Sequence, residues 1–193
     1  SMDAVLRIYP YGEFVYIQTK LADTEDSSLI IYDTKTKEAQ EREINWQSMF
    51  LPTEDGEFFE CTLKNDGLCA EYVNAMLQST AESKMLTLDS LKNFGFAADT
   101  TGNLYSWIST DDTHLYVYGM TEIDPIVAAF NKESGELEAA AALPGMPLFQ
   151  CIGVDDEYLF YQCSELDGGT DSVYWVKKSD FFENGATFNC MEP

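Results

Sequence analysis

One histidine, His114, is present in the 193-residue chain, so any Ser–His–Asp chemistry would have to run through it. No nucleophile-elbow spacing accompanies it. Carboxylates are the opposite case: 34 Asp and Glu stand against 11 Lys and Arg, for a formal net charge of −23. Paired acids drive glycoside hydrolysis, but where acids are this abundant a pair carries no information by itself. The sequence holds no Gly-rich phosphate loop, no Cys/His cluster and no EF-hand spacing, so it implies no cofactor and no metal. Asp167-Gly-Gly-Thr-Asp171 sets oxygen ligands beside flexible glycines, as calcium loops do. It supplies too few of them for a full shell.

Five cysteines leave several readings open. Cys151 and Cys163 flank the turn near Val154–Glu157, and Cys61 and Cys69 flank the Lys64–Gly67 turn, so each pair could bridge across a hairpin; Cys190 would then stay unpaired. Disulfide geometry is demanding, and the spacing fits no framework or zinc pattern. The plainer expectation is five small buried hydrophobes.

The acids fall in particular stretches. These are Asp23, Glu25 and Asp26; Asp66; Glu122 and Asp124; and Glu165, Asp167 and Asp171. Clustered like charge makes a negative field that draws cations, so these residues form a candidate surface for a protein or a small cationic ligand. Ordinary solvation of an acidic chain accounts for the same pattern. The charge argues against nucleic acid and anionic membranes, which need basic patches. No apolar span long enough for direct membrane insertion occurs. Ser1-Met2 reads as a cloning remnant, so an export signal could have been removed. The acidity suits an exported or cell-surface protein, while the compartment is left open.

What would position these residues is a repeat. Gly12–Gln18 (GEFVYIQ) returns as Gly56–Thr62 (GEFFECT), Asp112–Tyr118 (DTHLYVY) and Asp156–Gln162 (DEYLFYQ). Counted from Gly12 to Gly56, Asp112 and Asp156, the copies lie 44, 56 and 44 residues apart, a propeller-type period. Successive strand residues face opposite ways, and here both faces are apolar or aromatic, as in strands covered on both sides. On this alignment Val15, Ile17, Phe59, Leu115, Val117, Leu159 and Tyr161 are predicted to be largely buried. His114 occupies the place of Phe14, Phe58 and Tyr158, which predicts packing between sheets rather than catalysis.

A second strand follows each copy, at Leu29–Tyr32, Cys69–Val73, Ile126–Phe130 and Val173–Val176. Asp33–Glu38 and Asn131–Glu136 are matching hairpin turns into further strands at Glu38–Ile44 and Leu137–Leu143. The second of these contains EAAAAL, which scores as helix on propensity, but its place after a turn predicts strand. A short helix near Asp89–Phe94 would absorb the longer second repeat. The chain therefore reads as all-β: about four antiparallel four-stranded blades in a single domain over residues 1–193, at about 4–45, 46–95, 96–144 and 145–193.

The pattern of turn, Gly/Asp-x-aromatic-Leu/Val-Tyr, polar loop, then Ile-Tyr/Phe-Asp/Asn-x-x-Ser/Thr-Gly/Lys-Glu resembles the repeats of bacterial TolB-like and YWTD-like β-propellers. Asp155–Asp180 is the nearest copy. The resemblance implies architecture rather than activity. In that architecture the acidic stretches would lie at the end of the blades most often used for binding. Without a catalytic signature, the expectation is a non-enzymatic binding or scaffold module; the alternative is a hydrolase or lyase with channel-lining carboxylates. Four blades would make either a tight closed propeller or an incomplete one, open to self-association; the reading leans to the incomplete form.

Overall fold

The computed structural model describes residues 4–20, 26–45, 48–52, 58–64, 67–74, 76, 78–164, 172–183 and 186–191. Nearly all of the regular structure is strand. The first sheet is β1 (Ala4–Tyr11), β2 (Phe14–Lys20), β3 (Asp26–Asp33) and β4 (Ala39–Asn45). The second is β5 (Met49–Pro52), β6 (Phe58–Lys64), β7 (Gly67–Val73) and β8 (Lys84–Leu86). The third is β9 (Gly102–Thr110), β10 (His114–Thr121), β11 (Pro125–Asn131) and β12 (Leu137–Ala142). The fourth is β13 (Met146–Val154), β14 (Tyr158–Ser164), β15 (Ser172–Lys177) and β16 (Asn189–Cys190). Within each sheet the strands pair in chain order, and neighbours run antiparallel.

Turn chemistry sets the hairpins. Asp33 Oδ1 accepts from the Lys35 and Thr36 amides at 2.7 and 3.1 Å, and Asn131 Oδ1 from the Glu133 and Ser134 amides at 2.9 and 3.0 Å. Two residues before each following strand the backbone is left-handed, at Gly135 (φ 76) and at Lys37 (φ 65). Glycine adopts that conformation without strain, and lysine does not. At Gly67 a side chain has no room, because an added Cβ would lie 2.4 Å from the Leu86 carbonyl oxygen.

The alanine-rich segment is strand, as its position demanded. Ala139, Ala140 and Ala141 are buried, and β12 pairs with β11 through Ala128↔Ala140 and Ala129↔Ala139. The expected short helix is a 3₁₀ turn, Leu91–Phe94. A second helix, α1 (Lys178–Phe181), was not foreseen. It stands where the first and third sheets carry a hairpin turn.

The chain forms two compact units, Ser1–Thr62 with Ala70–Ser83, and Leu63–Cys69 with Lys84–Pro193. In the first, Tyr16, Leu29, Ile31 and Ile44 pack with Phe50 of β5 and Val73 of β7. In the second, Tyr116, Tyr118, Val127 and Ala129 of the third sheet pack with Leu159, Tyr161, Cys163 and Val176 of the fourth. Phe181 of α1 and Phe188 join that core.

The burial expectation holds for Leu115, Val117, Leu159 and Tyr161. It fails for Val15 and Ile17, which are half-buried. The first sheet buries its opposite face instead, with Tyr16 and Gln18 fully covered. Next to Ile17, its partner Ile8 is 59% exposed, so this side of β1 and β2 is only partly covered. The Phe59 side chain lies outside the described residues. Cys61, Cys69, Cys163 and Cys190 form no disulfide, so neither bridge is made. Cys190 is exposed, contrary to the expectation of uniform burial, because β16 is a two-residue edge strand.

Candidate functional site

Two clefts of the second unit carry the polar residues of interest, one at each end of its strands. The first lies at the turns that open β10 and β14. Asp111 and Asp155 stand at matching places in these turns. Each accepts two amides through Oδ1: Thr113 and His114 at 2.9 and 2.7 Å, Glu157 and Tyr158 at 2.8 and 2.6 Å. Such Asx turns fix the reversal locally. Asp111 Oδ2 also accepts from the Tyr116 hydroxyl at 2.8 Å and pairs with Lys178 Nζ at 2.5 Å.

The electrostatics follow from those contacts. Burial alone would raise the Asp111 pKa, but Lys178, the His114 amide, the Tyr116 hydroxyl and the Thr113 amide outweigh it. The carboxyl is held well below the usual carboxylate range. Burial, then the hydrogen bond to Asp111, push the Tyr116 hydroxyl far up. Lys178 Nζ also donates to the Asp155 carbonyl at 3.1 Å, and Lys132 Nζ to the Asp111 carbonyl at 2.6 Å. Lys132 and Lys178 hold the same place in their repeats, since their amides donate to the equivalent carbonyls of Thr113 and Glu157.

His114 sits in this corner as the packing reading expected. Its ring centroid is 4.6 Å from that of Phe182, and its Nε2 lies 2.7 Å from Glu138 Oε2. Glu138 is held in turn by the Asn131 amide group at 3.0 Å. Asp111, His114, Asp155, Lys178 and Phe182 border a cleft of about 500 Å³ with Thr110, Asp112, Asp156 and Ser179. Its strongest groups are committed to each other, which makes the corner a clamp between two sheets.

The second cleft lies at the opposite end of the strands, at the turn between β10 and β11. Here Thr121 closes the reversal: its amide and hydroxyl both donate to the Asp124 carbonyl at 2.9 Å, and its Oγ1 accepts from the Asp124 amide at 2.8 Å. Glu122 and Asp124 are exposed, and Ile123 between them is 82% exposed. Asp124 borders a cleft of about 480 Å³ with Phe94, Phe96, Pro144, Thr187 and Phe188. Asp124 is the one carboxylate among those lining residues, which include three phenylalanines. A carboxylate among aromatic faces is suited to an organic cation, through Coulomb attraction and the ring quadrupoles.

Of the acids singled out in the sequence, the structure thus places Glu122 and Asp124, together on one turn. Asp23, Glu25, Asp66, Glu165, Asp167 and Asp171 lie outside the described residues, as does the Asp26 side chain at the start of β3. The proposed calcium-type loop falls there too. Among the described residues no group of three or more His, Cys, Asp or Glu side chains is arranged to hold a metal ion. Sequence reasoning missed the Asp111–Lys178 clamp. The available signal was the recurrence of Asp at 111 and 155 with Lys at 132 and 178.

No family model matches the sequence, and no curated protein matches it. Solved structures do resemble it. The β-propeller domain of the Trilobed protease from Pyrococcus furiosus, described as having an open velcro topology, superposes with a TM-score of 0.59 at 11% identity. That match covers 99% of this chain and 57% of the other. A prolyl endopeptidase matches with a TM-score of 0.59 at 11% identity over 99% of this chain and 29% of its own. BamB from Moraxella catarrhalis gives 0.45 at 12% identity over 88% of this chain and 48% of that protein. The chain spans little more than half the length of the first and under a third of the second. At these identities the likeness concerns fold alone, and the fold is that of a β-propeller: nearly all-β, in antiparallel four-stranded sheets.

Proposed function

We propose that this chain is a non-enzymatic recognition module, built from propeller repeats of the TolB-like and YWTD-like kind. It binds a protein segment or small ligand bearing a positive charge. The carrying observation is the Asp124 cleft, where one exposed carboxylate stands among Phe94, Phe96 and Phe188. The net charge of −23 supports the same reading, since it concentrates cations at the surface. An acidic, well-solvated surface also suits an exported or cell-surface setting. The likeness is to a propeller domain of a protease, and protease activity is no part of this proposal.

The chemistry of the described acids points the same way. A catalytic acid needs a pKa raised toward neutrality, whereas the carboxyls of Asp33 and Asp111 are both held below the ordinary range. They are anchors held ionised. The test is fluorescence polarisation with a labelled lysine-rich peptide and its trimethyl-lysine counterpart. Binding that weakens in Asp124→Asn and falls steeply with salt supports the proposal. Binding indifferent to Asp124→Asn and to salt sinks it.

A further inference from the structure

The connections between sheets are unequal in length. Three residues, 143–145, join β12 to β13, whereas fifteen, 87–101, join β8 to β9. The excess of twelve equals the difference between the 56- and 44-residue spacings of the repeat, so this connection accounts for the longer one. Strand pairing needs none of the twelve. Connections this long inside compact domains usually carry function. The segment is also folded onto the third sheet. Leu88 and Leu91 are buried, and an added Cβ at Gly102 would lie 2.7 Å from Leu88 Cδ1. Its own turns are closed by the Asn93 amide on the Ser90 carbonyl at 2.9 Å and the Thr100 amide on the Ala97 carbonyl at 3.0 Å.

Both ends of the segment, residues 87–89 and 98–101, border a cleft of about 530 Å³ with Lys64, Asn103 and Tyr105. All of these residues belong to the second compact unit, and the volume is that of a small-molecule site. The lining mixes hydrogen-bonding senses. Asp89 and Asp99 accept, Lys64 donates, and the threonine hydroxyls and the Asn103 amide group do both. Thr87 Oγ1 donates to Asp89 Oδ2 at 2.9 Å and so orients that carboxylate. A metal or an ammonium group calls for acceptors and a phosphate for donors, whereas here the two kinds alternate. Beside them stands Tyr105, 36% exposed. Its ring stacks on buried Tyr118, with centroids 5.3 Å apart and planes at 28°. One face is thus fixed against the core, and what stays open is the other face and the edge.

We propose that this cleft binds a neutral saccharide, with a sugar ring on Tyr105 and its hydroxyls shared among Asp89, Asp99, Asn103 and Lys64. Each sugar hydroxyl donates and accepts at once, which a mixed lining matches and a lining of one sense does not. The slightly positive C–H groups of the sugar ring settle on the negative face of the aromatic one. The site is separate from the Asp124 cleft, since the two share no lining residue.

Saturation-transfer NMR and titration calorimetry of the whole chain test this, with neutral oligosaccharides of glucose, galactose, mannose and N-acetylglucosamine at millimolar concentration. The expected result is binding of at least one of them that salt leaves unchanged, because the ligand carries no charge. Tyr105→Ala should weaken it about tenfold by removing the stacking face, and Tyr105→Phe, which keeps that face, should retain it. Asp89→Asn should weaken it by a smaller factor. Asp124→Asn should leave it as it is, which separates this site from the cationic one. Circular dichroism checks that each variant is folded. Failure of all four sugar series to bind overturns the proposal. So does binding that Tyr105→Ala leaves untouched, or that Asp124→Asn abolishes.

Discussion

The first and third sheets are spelled alike and live in different surroundings. Both carry an aliphatic pair on one face of the second strand and an aromatic on the other: Val15 and Ile17 with Tyr16, Leu115 and Val117 with Tyr116. In the third sheet all three are fully buried, whereas in the first only Tyr16 is. The pattern of a strand records the sheet it belongs to, and burial records whether a neighbour is present. Apolar residues on both faces therefore mark a stacking unit even where one face is open.

The largest expected effect follows from that contrast. Leu115→Ala should cost about 3 kcal/mol, the usual price of a cavity at a fully buried leucine. Val15→Ala at the matching position should cost less than about 1 kcal/mol. Urea unfolding of both variants decides it, and equal costs would erase the distinction between the sheets.

The clamp between the third and fourth sheets comes next. Asp111→Asn removes the anionic partner of Lys178 and should cost about 2 kcal/mol at neutral pH. The Asp111 pKa is depressed on folding, so its contribution is whole above the unfolded carboxyl pKa of about 4. It is then lost progressively as pH falls toward the folded value. The gap between wild type and Asp111→Asn, measured by urea unfolding from pH 7 to pH 3, should narrow below about pH 4. A gap that stays constant would deny Asp111 its charge.

A smaller effect separates the two matching hairpins. Lys37→Gly should stabilise the first sheet by about 1 kcal/mol, since glycine takes the left-handed turn without strain. An unchanged melting temperature would mean that the lysine side chain offsets its own strain. Smallest for stability is neutralisation of Asp23, Asp26, Glu165 and Asp167 together, which should change unfolding by less than about 0.5 kcal/mol. The same variant should bind a basic peptide less tightly and with a shallower salt dependence, because charges screened over about 8 Å in physiological salt supply the attraction. Unchanged affinity would leave the Asp124 cleft to act alone.

Most of the strands could be read from the chain because the repeat supplies the same information several times. Leu137–Ala142 shows the gain: its propensity says helix, but its place after the Asn131 turn says strand, and the ladder with β11 prevails. The half-burial of Val15 and Ile17 was not legible, since residue types do not show how much of a face its neighbours cover. Helix α1 was hidden for a different reason. The copies in the first and third sheets place a tight hairpin there, and Lys178–Phe181 departs from their spelling. With it went the clamp, because Asp111 and Lys178 are 67 positions apart and meet only when two sheets stack. Asp124 was flagged as one acid among many. Its aromatic setting depends on Phe94 and Phe188, which lie far from it in sequence.

Strand pairing in chain order has a kinetic meaning. No sheet waits for a distant segment, so each hairpin closes a short loop and each sheet can be completed soon after its last strand is made. Assembly then proceeds by adding finished sheets to earlier ones, in the direction of synthesis. With β1 and β16 each paired inside its own sheet, no ladder joins the beginning of the described chain to its end. Opening is therefore expected to begin at the half-covered first and fourth sheets, and the third should be the last to exchange its amide protons with solvent.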